Sequence, residues 1–400
     1  MSSLIVGDLH LGKGMSIGKP GAGSSLNSRV VDQIRLLDWV FEEAVNEHVR
    51  SVILTGDICE AVKPDYILIE LFVDFLKQCE EYGFTVHIIA GNHDLKRTGT
   101  RYASYLDLIA AFDLPHVHVY KDISTIIEDK VAYTFLPFRD MRSLDCSETE
   151  EAFDKISGWL TYELASIPPY YTKVLVGHLA IEGSIYIGDE FDNISNELMC
   201  PASMFEGYDY TIMGHVHKPQ ELEEEPYVAH VGSLDISDFG ETDHEKIVML
   251  FDDSQPPEDK IAEITVPTRP LRHILVNVPA GLDATTYALK KVRAVNKRKS
   301  FENAIVKVEI KLLDEDSDGS DRPEIIKEVY DLGAFHIILT ESKSLSAVPV
   351  TNQTVMNNEI GPEAAIEIYA EGEEFYSDKE KTDFTNVCKE IVTEWESSQG

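Results

Sequence analysis

Five short, mostly apolar runs along the chain each stop at a glycine and give way to residues that bind metals. The runs are Leu4-Ile5-Val6, Ser51-Val52-Ile53-Leu54-Thr55, Val86-His87-Ile88-Ile89-Ala90, Val174-Leu175-Val176 and Tyr210-Thr211-Ile212-Met213. After them come Gly7-Asp8-Leu9-His10, Gly56-Asp57, Gly91-Asn92-His93-Asp94, Gly177-His178 and Gly214-His215-Val216-His217. Between the first three runs the apolar spacing changes to that of a helix. Val30, Ile34, Leu37, Phe41, Ala44 and Val45 form one stripe, with Asn27 or Ser28 as its cap, and Ile69, Phe72, Val73 and Leu76 form the next. Strands alternating with helices predict a layered α/β sheet, and in such sheets ligands gather at the carboxyl ends of the strands.

Beyond residue 120 strands dominate. They are expected at 124–128, 131–137, 172–176, 227–231, 246–251 and 261–266, with one helix at 148–166, and they read as a second sheet packed on the first. Pro267 and Pro270 interrupt regular structure and mark a boundary. A β-α-β unit follows at 272–278, 283–297 and 305–312, then a further helix and strand within 323–340. The expected domains are therefore 1–268, a small α+β domain at 271–341, a Ser/Thr/Asn/Pro-rich linker at 342–362 and a C-terminal segment at 363–400. That last segment carries Phe384, Val387, Cys388, Ile391 and Trp395 on one face of a helix near 378–397. The fold class is α/β, a two-sheet sandwich with a smaller appended domain.

Composition narrows the chemistry. At 400 residues and 43% hydrophobic content the chain can bury a full core over two or three domains. No apolar stretch approaches the roughly 18 to 20 residues that span a bilayer, and strand-like sequence at Leu4 leaves no room for a signal peptide. The five cysteines are scattered without a CxxC pair, which suits a reducing cytoplasm and argues against a disulfide framework or a zinc knuckle. A net charge of -36 argues against a simple nucleic-acid binder, and residues 313–400 alone hold 21 acidic side chains against 6 basic ones. A polyanionic substrate would have to be met by metals, a local basic patch or a partner protein. Such a patch exists: Lys290, Lys291, Arg293, Lys297, Arg298 and Lys299 crowd the end of the small domain's helix. A stripe of this kind holds a phosphate backbone, or else it is a solvated helix end whose cations offset the C-terminal dipole. Lys13, Lys19, Lys96, Arg97 and Arg101 flank the metal blocks. Tyr102 and Tyr105 beside them either pack in the core or stack on an unpaired base.

Carboxylate, imidazole and amide donors with no thiolate suit Mn²⁺, Mg²⁺, Fe or Zn²⁺. One Gly-Asp turn after a strand is usually just a turn, but five blocks at strand ends are expected to form a dinuclear centre in which Asp57 can bridge two ions. In order and spacing the blocks resemble those of the calcineurin-like metallophosphoesterases: Asp-x-His, Gly-Asp, Gly-Asn-His-Asp/Glu, His and Gly-His-x-His. The resemblance implies that one metal takes Asp8, His10, Asp57 and His217, and the other Asp57, Asn92, His178 and His215. It implies, too, that His93 faces the scissile phosphate. Glu60 stands where relatives carry an Asp or His that orients this histidine, so a Glu60–His93 dyad is expected. Asp94 is either part of the catalytic set or a residue that holds the turn.

Gly-Asp-Leu-His-Leu-Gly (7–12) and Gly-His-Val-His-Lys-Pro-Gln (214–220), followed by Val-Gly-Ser-Leu-Asp-Ile-Ser-Asp-Phe-Gly-Glu (231–241), resemble the SbcD-type nuclease branch of that family. This branch implies an Mn²⁺-dependent DNA nuclease of DNA repair, cytoplasmic, commonly a homodimer and partnered by an SbcC-like ABC-type ATPase that the C-terminal helix would dock. Two other functions stay open at this point. One is a general phosphodiesterase or phosphatase on small phosphoesters, and the other is a scaffold subunit with an inactive site.

Overall fold

The computed structural model describes residues 2–21, 26–98, 101–112, 114–188, 198–313, 319–343 and 385, and of residues 97, 98, 101 and 102 the backbone alone. The expected linker beyond Lys343 and, apart from Thr385, the C-terminal segment lie outside these residues. The chain divides into two compact units. The first holds Met1–Ile274 together with Lys291–Val308 and Pro323–Leu339; the second holds Leu275–Lys290, Glu309–Arg322 and the described residues from Thr340. Much of the 271–341 stretch thus belongs to the first unit.

Two six-stranded sheets make the body of the first unit. In spatial order the first runs Ile261–Thr265, Ile247–Asp252, Ser2–Val6, Ser51–Leu54, Thr85–Ile89, Val117–Tyr120. Its last four strands are mutually parallel, and Ile247–Asp252 joins antiparallel to Ser2–Val6. The second runs Gln220–Glu224, Tyr227–His230, Tyr210–Gly214, Thr172–His178, Val131–Leu136, Ser124–Glu128. Here Val131–Leu136, Thr172–His178, Tyr210–Gly214 and Tyr227–His230 are parallel neighbours.

The central runs are apolar on both faces because both faces are covered. Leu4 and Val6, Val52 and Leu54, and Val86 and Ile88 pack toward the helices Ser28–Asn46 and Tyr66–Tyr82 with Leu37, Val40, Phe72 and Leu76. The alternate residues Ile5, Ile53 and Ile89 meet Tyr133, Phe135, Val174, Val176 and Ile212 of the second sheet. On the far side of that sheet, Leu175 and Met213 bury Ile156 and Leu160 of the helix Thr149–Ser166. Asn27 caps the first helix by accepting the Arg29 N–H at 2.9 Å, and Asp65 caps the second by accepting that of Ile67 at 3.2 Å. The strand Val117–Tyr120 and the hairpin Lys96–Thr98/Arg101–Ala103 add to the elements that the apolar pattern predicts. Among the described residues no helix is long and apolar enough to cross a membrane.

Toward the end of the chain lies a three-stranded sheet of Leu271–Val278, Ile305–Leu312 and His336–Lys343, with helices Ala284–Asn296 and Arg322–Asp331. This is the β-α-β-α-β order expected.

Candidate metal centre

All five glycine-ended runs stop on the same side of the two sheets, and the residues after them converge. Asp8, His10 and His217 offer donor atoms within 4.8 Å of one another; Asp57, His178 and His215 do the same. Asn92 links to the second group, its Oδ1 lying 2.9 Å from His178 Nε2 and 3.1 Å from His215 Nδ1. Asp57 sits between the groups, with Oδ2 3.4 Å from His178 Nε2 and 3.6 Å from His10 Nε2. All seven expected ligands are therefore brought together in one place.

The backbone here is held in an unusual state. His10, Asp57 and His215 have φ of 43°, 47° and 83°, the left-handed region that residues with a Cβ rarely adopt. Strain of this kind persists where the surrounding structure dictates it, most often at functional sites. The glycines explain part of the dictation. A Cβ on Gly91 would collide with Asp57 Oδ1, and one on Gly56 would stand 2.5 Å from His178 Nδ1. The ligands pack against bare backbone at these points.

Two buried carboxylates facing several imidazoles set the electrostatics. Burial works against a charge on His178, but the carboxylates of Asp57 and Asp8 outweigh it and hold that ring up at about 10. Asp57 is likewise opposed by burial, yet His178, with His93 and His10, keeps it well below the usual carboxylate range. The cluster thus offers a cation two buried carboxylates, Asp8 and Asp57, set among imidazole nitrogens. Its donors are oxygen and imidazole nitrogen only. Cys59, Cys79 and Cys200 are buried thiols pushed up to about 12 by desolvation. This donor set fits hard or borderline divalent ions. His178 donates from Nδ1 to the Thr55 carbonyl at 2.9 Å, which leaves Nε2 as the atom it presents.

His93 stands at the edge of the cluster, its side chain 35% exposed and its ring centroid 4.9 Å from that of His10. Its backbone N–H donates to Asp57 Oδ1 at 2.8 Å. The contact with Glu60 differs from the dyad expected: His93 Nδ1 lies 2.5 Å from the Glu60 carbonyl oxygen and 3.9 Å from its carboxylate. The carboxylate turns instead to His10, with Oε2 2.7 Å from Nδ1. Asp94 matches the turn-holding alternative. Fully buried, it accepts the N–H groups of Ile58 at 3.0 Å and Gly91 at 2.9 Å as well as the Tyr105 hydroxyl. Burial and the nearby Asp57 charge push it up to about 6. Of the two uses open to Tyr105, this contact commits it to the core.

Lys290, Lys291, Arg293, Lys297, Arg298 and Lys299 lie at or just beyond the end of the helix Ala284–Asn296, and all six are exposed. Arg293 forms a two-pronged pair with Glu328 at 2.7 and 2.9 Å, and Lys299 pairs with Asp243. Lys19 lies over the Phe335 ring, 4.3 Å from its centroid. Glu241 closes the 231–241 segment that carries the resemblance, but the sequence gives it no role and does not single out Lys246; both are fully buried behind His217.

The calcineurin-like phosphoesterase family model matches residues 1–219, and the chain belongs to that family. It is a metal-dependent phosphoester hydrolase. Among characterised proteins it is similar to the SbcD component of the nuclease SbcCD from Escherichia coli K12, 23% identical over 286 residues that cover 64% of this chain and 69% of that one. The same component from Escherichia coli O157:H7 matches equally. A dimetal phosphatase from Danio rerio superposes with a TM-score of 0.37 and 11% identity over 66% of this chain and 98% of its own.

Proposed function

We propose that the protein is a divalent-metal-dependent DNA nuclease that hydrolyses phosphodiester bonds in end processing, working with an SbcC-like ABC-type ATPase. The observation that carries this reading is the reach of the likeness to the SbcD component of SbcCD. It covers 64% of the chain, more than the 1–219 stretch on which family membership rests. Asp8, His10, Asp57 and His217 would hold one cation, and Asp57, Asn92, His178 and His215 the other; bound ions polarise the phosphoryl oxygens and lower the pKa of water. Mn²⁺ fits this donor set.

The chain's own residues supply the rest. The Glu60 carbonyl accepts the Nδ1 proton of His93, so Nε2 is the nitrogen that faces the cleft and carries a proton to the leaving oxygen. Burial disfavours the charged ring, but Asp57 and the Glu60 carbonyl raise its pKa, which keeps that proton available. Asp94 fixes the turn that presents Asn92 and His93. The cations from Lys290 to Lys299 would track backbone phosphates without reading sequence.

Labelled single- and double-stranded DNA, assayed beside a small chromogenic phosphodiester at about 1 to 5 mM Mn²⁺ (weakly held sites need this range), tests the reading. DNA cleavage is expected. Hydrolysis of the small ester alone would make the protein a general phosphodiesterase.

A further inference from the structure

His10 and His217 bring their Nε2 atoms to 2.9 Å from each other, so the Nδ1 side of each ring faces away from the point where they meet. A glutamate stands behind each. Glu60 Oε2 lies 2.7 Å from His10 Nδ1. Both atoms are buried; they meet at ion-pair distance without the alignment of a hydrogen bond, and neither has another hydrogen-bond partner among the described residues. Buried polar atoms are almost always satisfied, which makes this close approach the contact that answers both. Behind His217, Glu241 Oε1 lies 3.6 Å from Nδ1. Glu241 is held in place by the Ser237 hydroxyl at 2.9 Å and the Lys246 ammonium at 2.7 Å. Lys246 also donates to the His217 carbonyl at 3.0 Å and the Ser233 hydroxyl at 2.7 Å. In the other group His178 Nδ1 donates to the neutral carbonyl of Thr55 at 2.9 Å, and the nearest carboxylate on that side, at 3.7 Å, is the ligand Asp8 itself.

We propose that Glu60 and Glu241 are positioning residues for one of the two cations: each sets a carboxylate on the Nδ1 side of a histidine of the Asp8–His10–His217 group, Glu60 in close contact and Glu241 as a charge just beyond hydrogen-bond range, so that Nε2 is aimed at the ion. A carboxylate behind a ligating imidazole orients the ring and raises its donor strength, and loss of such a partner weakens metal binding about 10- to 100-fold. Glu60 thus acts through His10, not through the general acid His93. The inference rests on the ligand assignment above.

Calorimetric Mn²⁺ titration of the full chain separates the two. Wild type takes up two ions, and His10→Asn loses one of them. Glu60→Gln weakens that same ion about 10- to 100-fold and leaves the second unchanged, while Glu60→Asp recovers part of the loss. If Glu60→Gln binds both ions like wild type and is only slower in turnover, the proposal is overturned and Glu60 serves His93. If His10→Asn binds both ions like wild type, the ligand assignment itself fails. Glu241→Gln is expected to weaken the same ion, and unchanged affinity removes Glu241 from the scheme. Should that variant not fold, Ser237→Ala reads the same position, because it frees the Glu241 carboxylate from its hydroxyl anchor.

Discussion

His93 takes its orientation from the main chain of Glu60: Nδ1 lies 2.5 Å from the carbonyl oxygen, and the carboxylate stands off at 3.9 Å. A main-chain acceptor cannot be exchanged by mutation. The ring's tautomer is therefore set by the path of the loop after Asp57 and not by the side chain at position 60. His93→Leu should keep the fold and both bound ions while turnover falls by about 100-fold or more, the usual contribution of a general acid. Steady-state kinetics beside metal titration checks this, and a variant that loses metal would show that His93 is a ligand.

Gly91 packs its bare Cα against Asp57, where a methyl would collide with Oδ1 and lie 2.5 Å from the backbone nitrogen. Overpacking of this kind costs about 1–3 kcal/mol, and here the yielding group is the shared ligand. Gly91→Ala should lower stability by that amount and weaken metal uptake as well. Chemical denaturation with and without Mn²⁺ measures both effects, and wild-type metal affinity in Gly91→Ala would mean that Asp57 does not bridge.

A buried charge network lies beyond the site. Asp32 is gripped by Arg269 through two bonds of 2.7 and 2.6 Å and by Arg29 at 2.9 Å; Arg29 also reaches Asp235 at 2.5 Å and the Ile236 carbonyl at 2.7 Å. Removing one partner of a buried set leaves charge uncompensated, at a cost of about 3–5 kcal/mol. Asp32→Ala should show a loss of that size in urea unfolding. A loss under about 1 kcal/mol, the range of an exposed pair, would mean that water reaches these arginines.

Near 290–299, Arg293 pairs with Glu328 and Lys299 with Asp243. Neutralising Lys290, Lys291, Lys297 and Arg298 together should weaken DNA binding and flatten its dependence on salt, since each lost phosphate contact reduces the slope by about one. An unchanged slope would place the DNA elsewhere on the chain or on its partner.

The strands and the convergence of the seven candidate ligands were legible because both leave local marks. Ile5, Ile53 and Ile89 alternate with residues that face helices, and each run ends in a glycine where a ligand must pack against bare backbone. Contacts decided only by the fold left no such mark. Glu60 can turn to His10 or to His93 from the same loop, and only the packed site shows that it turns to His10. In the sequence Asp94 fits a catalytic or a turn-holding role equally, and the Tyr105 hydroxyl and two backbone N–H groups found on it favour the turn. Glu241 and Lys246 carry surface-type side chains that burial pairs with each other. The strand Val117–Tyr120, Val-His-Val-Tyr, is only four residues long, too short a run to stand out, and edge pairing with Thr85–Ile89 makes it a strand.

The central claim is a two-ion centre that turns on Asp57, and counting ions tests it most directly. Inductively coupled plasma mass spectrometry after equilibrium dialysis against Mn²⁺, with the free ion of the dialysate subtracted, should find two ions per wild-type chain. It should find none in Asp57→Asn, because both groups lose their shared carboxylate. One ion or none in wild type, or two in Asp57→Asn, would contradict the account.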